Sequence, residues 1–298
     1  MSRSRAFVVA ALLLAGCDSQ IVLGDSESPL PVASGGSGAS AGSGGSMSQP
    51  IAGSSAAGTS GNAGQPSTDV PVPGQLVWST DHESGDIANW EDGGNYYGGE
   101  YEWGDVGFAV EQGAGRDGSQ GLSVTINTGY RDEPSQGVRF YRRIADSPAF
   151  YTAWFRLDTA HTVEDWWSIS LFHARDDTLS LENDVSLWDV RVVDTPGGDM
   201  ALQFFDLDSM QGITADARGQ VRPGEWFELA FYLDYRPPDA SRIVVLRDGV
   251  LLFDVPALHS GLETNVFWAI GNGAGYLSPA ESTLFIDDAS IRLAVGTQ

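Results

Sequence analysis

Apolar and polar residues alternate at every second position through much of the chain beyond residue 140. In Trp226 to Leu233 the apolar set Phe227, Leu229, Phe231 and Leu233 faces one way, with Glu228, Tyr232 and Asp234 opposite. This period of two is that of a β-strand with one face buried. Phe150 to Leu157, Trp166 to Phe172, Arg242 to Leu246 and Leu284 to Leu293 are equally rich in aromatic and β-branched residues. Turn residues separate these runs at Thr195-Pro196-Gly197-Gly198-Asp199, Arg222-Pro223-Gly224 and Arg236-Pro237-Pro238-Asp239. Asp248-Gly249, between Ile243–Arg247 and Val250–Phe253, is a two-residue hairpin signal. No long helical period is present. The pattern predicts an all-β domain of about a dozen short strands, a two-sheet sandwich or jelly roll.

The first 74 residues follow different rules. Arg3 and Arg5 precede an apolar run, Ala6 to Leu14, and then Ala15-Gly16-Cys17. A basic start, a short apolar core and small residues at the cut make an export signal. The run is too short for a membrane span, which needs about 20 residues. Leu14-Ala15-Gly16-Cys17 resembles the lipobox of bacterial lipoproteins, which implies cleavage before Cys17 and lipidation of its thiol. Residues 34–66 are almost wholly Gly, Ser, Ala, Asn, Thr and Gln. Such a composition buries too little apolar surface to offset its ordering entropy. It predicts a tether from Cys17 to Pro73 with an end-to-end distance of about 40 Å. The expected organisation is a signal peptide over 1–16, a lipidated Gly/Ser-rich linker over 17–74, and a jelly-roll domain over 75–298. The implied location is the bacterial cell envelope, at the outer membrane or cell surface or on the periplasmic face of the inner membrane.

Charge narrows the ligands. The chain has 40 acidic residues and 16 basic ones, all arginine. Four acids precede position 75, which leaves 36 acids against 14 arginines in the domain, a net charge near −22. This balance argues against nucleic acid and anionic lipid, and for a neutral rather than a polyanionic sugar. Cys17 is the only cysteine, so the domain has no disulfide.

Several motifs carry a family resemblance. Pro223-Gly224-Glu225-Trp226-Phe227-Glu228-Leu229, followed by Arg247-Asp248-Gly249-Val250, resembles the concanavalin-like/laminin-G-like jelly-roll pattern. The start, Ser79 to Trp90, and the end, Leu284 to Ile291, resemble the opening and closing strands of secreted sugar-binding sandwiches. The galactose-binding-like jelly roll shares those two terminal motifs and is the alternative topology. In related sandwiches, acids at the positions of Glu83, Asp287 and Asp288 tie the terminal strands through calcium. The resemblance therefore implies a structural calcium on hard carboxylate oxygens. Four histidines without ligand spacing argue against zinc.

Sugar sites combine exposed aromatic rings with polar side chains. The glycine-rich segment with Tyr96, Tyr97, Tyr101 and Trp103 has this character. So does Trp166, which alternates with Ser168 and Ser170, whereas Trp167 alternates with Ile169 and Leu171 and belongs to the core. For catalysis, the two-glutamate strand of the retaining glucanases of this fold is missing, since Glu182-Asn183-Asp184 lacks a final glutamate. No Ser-His-Asp signature and no phosphate loop occurs. Gly137 to Arg143 and Ser170 to His173 resemble the arginine- and histidine-bearing strands of the fold's polysaccharide lyases. That resemblance implies Arg139, His173 and Tyr276 as the catalytic set. The family's Tyr-x-Lys strand is missing, and His173 alternates with Ile169 and Leu171, which places it on an apolar face. The reading from sequence is a membrane-anchored lipoprotein that binds a poly- or oligosaccharide without turnover. The alternatives are a polysaccharide lyase or glycoside hydrolase of the same fold, and a structural or adhesion module that binds protein.

Overall fold

The alternating segments pair edge to edge into two antiparallel sheets packed face to face. The computed structural model describes residues 70–91, 98–129, 135–145, 148–174, 185–235, 241–256 and 266–295. All of them fall in the second of two units, residues 63–298. Cys17, the tether, Tyr96 and Tyr97 lie outside the described residues.

In chain order the strands are β1 (Val72–Thr80), β2 (Gly98–Trp103), β3 (Val106–Gln112), β4 (Gln120–Asn127), β5 (Gln136–Arg143) and β6 (Ala149–Leu157). Then come β7 (Thr162–Val163), β8 (Trp167–Ala174), β9 (Val185–Asp194), β10 (Met200–Asp206), β11 (Gln211–Thr214) and β12 (Gln220–Val221). The last six are β13 (Phe227–Asp234), β14 (Arg242–Arg247), β15 (Val250–Pro256), β16 (Val266–Ala274), β17 (Leu277–Ser278) and β18 (Glu281–Val295). The only α-helix among the described residues is one turn, α1 (Ala88–Glu91). One sheet runs β15-β14-β13-β6-β18-β4-β3, with β1 added to β18. The other runs β11-β10-β9-β8-β16-β5-β2, with β12 on β10. A short β7–β17 ladder stands apart.

The inward faces interlock through aromatic rings. Phe172 of β8 meets Phe231 of β13 at 5.7 Å between ring centroids, and Tyr151 of β6 meets Trp268 of β16 at 5.6 Å. Trp90 of α1 plugs one end against Phe140 and Trp268. Burying such large rings is the main favourable term in folding, about 25 cal/mol per Å² of apolar surface removed from water. Phe227, Leu229, Phe231 and Leu233 are all buried, as their alternation predicts. Asp248 and Gly249 both take positive φ, 50° and 76°, which matches the twist of a two-residue hairpin between β14 and β15.

Three irregularities shape the second sheet. The register of β8 against β9 jumps between Ser168 and Ser170 and again between Phe172 and His173. In β16 the register against β8 jumps between Ile270 and Gly273. These neighbouring bulges flip the side-chain alternation and bend the sheet.

Candidate functional site

The bulges decide which side chains reach the outer face of the second sheet. Trp167 and Ile169 point into the core as expected. Ser170 also turns inward, where its hydroxyl accepts the Trp268 indole N–H at 3.1 Å. From there the phase is reversed. Leu171 and His173 face outward with Ser168, and Phe172 takes the core position. The expectation that His173 shares a face with Ile169 is therefore corrected: the extra residue in β8 moves it to the opposite side.

The outer face carries a cleft of about 360 Å³. Its floor comes from β5, β16, β8 and β9, and one wall from β2. Tyr101, Trp103, Trp166, Arg139 and His173 all line it. Tyr276 does not. It follows the end of β16, where its backbone carbonyl accepts the Glu164 N–H at 3.0 Å. Tyr141, Ser168, Asp189 and Arg191 join the cleft without having been singled out from sequence. The available signal was period-two spacing: Tyr141 lies two residues beyond Arg139, and Arg191 two beyond Asp189.

The aromatic wall rests on missing side chains. Trp103 stacks on Tyr101 at 5.4 Å with an interplanar angle of 24°, and its indole N–H donates to the Ser135 hydroxyl at 3.1 Å. A Cβ at Gly137 would stand 2.3 Å from the Trp103 ring, and one at Gly273 would stand 2.7 Å from Arg139 Nη2. Glycine at both positions leaves the space that the indole and the guanidinium occupy.

The electrostatics centre on Arg139. Its side chain is 6% exposed, and its Nη1 has no hydrogen-bond partner among the described residues. Burial pushes its guanidinium down to about 10, with the Asp189 charge opposing that shift. The Trp103 ring lies 5.8 Å away. Asp189, 5% exposed, accepts from the Ser168 hydroxyl at 2.6 Å and from Arg191 Nε at 2.8 Å. The Arg191 guanidinium lies 3.7 Å from the centre of the Phe205 ring. Two guanidinium groups thus face one carboxylate, and the cleft is locally cationic within an acidic domain.

His173 and Tyr141 stand side by side next to these charges. Their rings meet edge to face at 6.1 Å, and both pack on Phe267. Leu171 and Ala269 complete this apolar corner. The arrangement offers two groups able to donate or accept a proton beside a cation that can pair with a carboxylate.

The residues expected to hold calcium have protein partners instead. A bulge in β18 turns Asp287 inward and Asp288 outward. Asp287 accepts the Arg116 backbone N–H at 2.8 Å and the Asp288 N–H at 2.9 Å, and His82 Nδ1 lies 3.9 Å away. Arg116 Nη1 donates to Asp288 at 2.8 Å. Glu83 is exposed, and its backbone N–H donates to Asp81. Among the described residues no three His, Cys, Asp or Glu group together as metal ligands. Arg116 thus meets both aspartates, Asp287 through its backbone N–H and Asp288 through its guanidinium.

Burial alone would raise the Asp287 carboxyl. The His82 ring and the two N–H donors outweigh it and hold the group below its ordinary 3.8. A carboxylate held low in the folded state adds stability above the unfolded value, and that contribution fades as pH falls through the folded one. Asp287→Asn is therefore expected to lower the melting temperature near neutral pH, by about 1–3 kcal/mol in stability. Melting curves taken at successively lower pH should show the gap to the parent narrowing below about pH 4. A gap that is constant with pH would mean that the carboxylate charge has no part in it.

No protein-family model matches the chain, and no curated protein matches it in sequence. Solved structures do match in shape. An endo-β-1,4-glucuronan lyase from the fungus Trichoderma reesei superposes with a TM-score of 0.56 at 10% identity, over 74% of this chain and 96% of that one. The cellulose induced protein Cip1 gives 0.49 at 16% identity, over 73% and 99% of the two chains. A marine PL-14 alginate lyase from Aplysia kurodai gives 0.48 at 12% identity, over 74% and 100%. At these identities the likeness concerns the fold, which is the concanavalin-like jelly roll.

Proposed function

We propose that the cleft of the second sheet binds a polysaccharide that carries uronate groups. The observation behind this reading is Arg139. Burying a guanidinium whose Nη1 has no hydrogen-bond partner among the described residues is costly, and a ligand carboxylate would offset that cost. A sugar carboxylate matches the planar fork of a guanidinium. Tyr101, Trp103 and Trp166 supply rings for the apolar faces of neighbouring sugars. This departs from the neutral glycan expected from net charge. Charge summed over a surface is screened beyond about 8–10 Å at ordinary salt, so the groups inside a cleft decide its ligand. The solved neighbours named for glucuronan and alginate fit the same direction. The domain would work from the membrane through lipid on Cys17, a reading supported by the Leu14–Cys17 motif alone.

The pairing of Tyr141 with His173 favours a second reading, β-elimination. Arg139 would pair with the uronate carboxylate and so acidify the adjacent C5–H. One of Tyr141 and His173 would take that proton. The C4–O bond would break, its oxygen would gain a proton, and a C4=C5 double bond would remain.

Retention on immobilised glucuronan, with a Kd of about 10 μM to 1 mM, is the expected result, and carboxyl-reduced glucuronan should not be retained. Trp103→Ala should weaken binding about tenfold, because a stacked ring is lost. Equal retention of the reduced polymer would end the uronate reading. Ultraviolet-absorbing unsaturated products, lost in His173→Ala or Tyr141→Phe, would establish elimination; their absence with the wild-type domain would leave binding alone.

A further inference from the structure

Arg191 is as firmly placed as Arg139. Its side chain is 16% exposed, its Nε is tied to Asp189, and its plane lies on Phe205. Among the described residues its Nη1 and Nη2 make no hydrogen bond, so the outer fork is open to the cleft. Strand register relates the two arginines. Gly137 of β5, Gly273 of β16, Ser168 of β8 and Arg191 of β9 form one row across the sheet. The Arg139 guanidinium lies against Gly273 in that row. Asp189 stands between, bonded to Ser168 and Arg191. From β16 to β9 is two strand spacings, about 10 Å. That backbone spacing exceeds one sugar ring, and the Arg191 guanidinium lies over Phe205 of β10, on the far side of β9 from β16, so the two cations address different rings of a chain lying across the strands.

We propose that Arg191 is a specificity-determining residue: it holds a second carboxylate of the glycan whose first is held by Arg139, so the cleft selects polyuronates over chains with a single uronate. This rests on the uronate-binding reading above. Asp189 is the positioning residue. Its carboxylate fixes Arg191 through Nε and leaves the fork open, and it offsets part of the repulsion between the two cations.

The test compares two probes on the whole chain: a glucuronic-acid tetrasaccharide, and a neutral tetrasaccharide bearing one glucuronic acid. The wild type should prefer the first by about tenfold or more, the worth of one charge-assisted pair. Arg191→Gln should lose that preference, weakening the glucuronic-acid tetrasaccharide about tenfold more than the single-uronate probe. Arg191→Lys keeps the ion pair with Asp189 but not the fork, and should keep part of the preference. It also serves if the glutamine variant fails to fold. Binding of both probes without discrimination by the wild type would overturn the role of Arg191 and leave the uronate reading standing. Equal weakening of both probes by Arg191→Gln would do the same. Failure of the wild type to bind either probe would remove the uronate reading and this inference with it.

Discussion

Replacing Arg139 with methionine should raise the thermal stability of the domain while removing its affinity for acidic glycans. Opposite signs are expected because the residue serves a ligand rather than the fold. The guanidinium is buried, lacks a hydrogen-bond partner at Nη1 among the described residues, and is pushed by burial well below its ordinary value, to about 10. A base whose folded value lies below its unfolded one costs stability wherever it is protonated, so this cost is present at all pH below about 10 and is relieved above it. Methionine is close in length, flexible, and needs no water. Exchanging a poorly compensated buried charge for an apolar side chain stabilises by about 1–4 kcal/mol in comparable cases. For a domain of this size each kcal/mol is about 2–4 °C in Tm. The gain should be smaller if Asp189, once facing both arginines, is left less well balanced. Calorimetric melting and glucuronan retention, measured on the same preparation, check both halves. A melting temperature that drops by many degrees would assign Arg139 to the fold, and retained binding would assign carboxylate recognition elsewhere.

Gly271→Ala should cost about 3 kcal/mol or more and disable the cleft with it. Gly271 sits in the β16 bulge with φ of 151°, a conformation side chains rarely adopt. A Cβ there would stand 2.0 Å from the Val138 carbonyl oxygen. The clash is with backbone, so no rotamer relieves it, and β5 must move away from β16. Val138 immediately precedes Arg139, so the displaced strand carries the guanidinium off the Gly273 row. Gly107→Ala in β3 is the matched control: it is exposed, nothing lies within 4 Å of a Cβ there, and its effect should fall within about 0.5 kcal/mol. Equal melting temperatures for the two variants would show that the bulge tolerates rearrangement.

What sequence reveals here follows the range of the interactions involved. The buried face of β13 and the Asp248-Gly249 hairpin rest on contacts between near neighbours in the chain, and both are legible from alternation and turn chemistry. The aromatic wall is legible at Tyr101 and Trp103 from glycine-rich surroundings that exclude a core strand, and at Trp166 from its alternation with Ser168. His173 was assigned to the wrong face because counting by twos passes through Ile169-Ser170 without registering an inserted residue. Asp189 and Arg191 gain their meaning only from the register of β9 against β8, and Tyr141 only from the side-by-side placement of β5, β16 and β8. Tyr276 follows the end of β16 and is not among the residues that line the cleft. The contact of Asp287 with Arg116 spans 171 residues of chain, beyond the reach of any local pattern. Net charge is a sum over the chain, and a sum cannot report where cations gather.

The ladder between β1 and β18 has a consequence for the order of assembly. It joins Val72 to Val295 and Thr80 to Ala289, so it closes nearly the whole length of the domain in one loop. Loop-closure entropy grows with the logarithm of length, and contacts this distant in sequence form late when their partners must first be built. Val72, Leu76 and Val77 remain exposed, and the contact of Trp78 with Trp90 is the main apolar burial that rewards the closure. The β1 amides should therefore exchange with solvent sooner than those of β5, β8 and β16. The outermost strand can detach and re-pair while the sheet that carries Arg139 and Trp103 stays assembled.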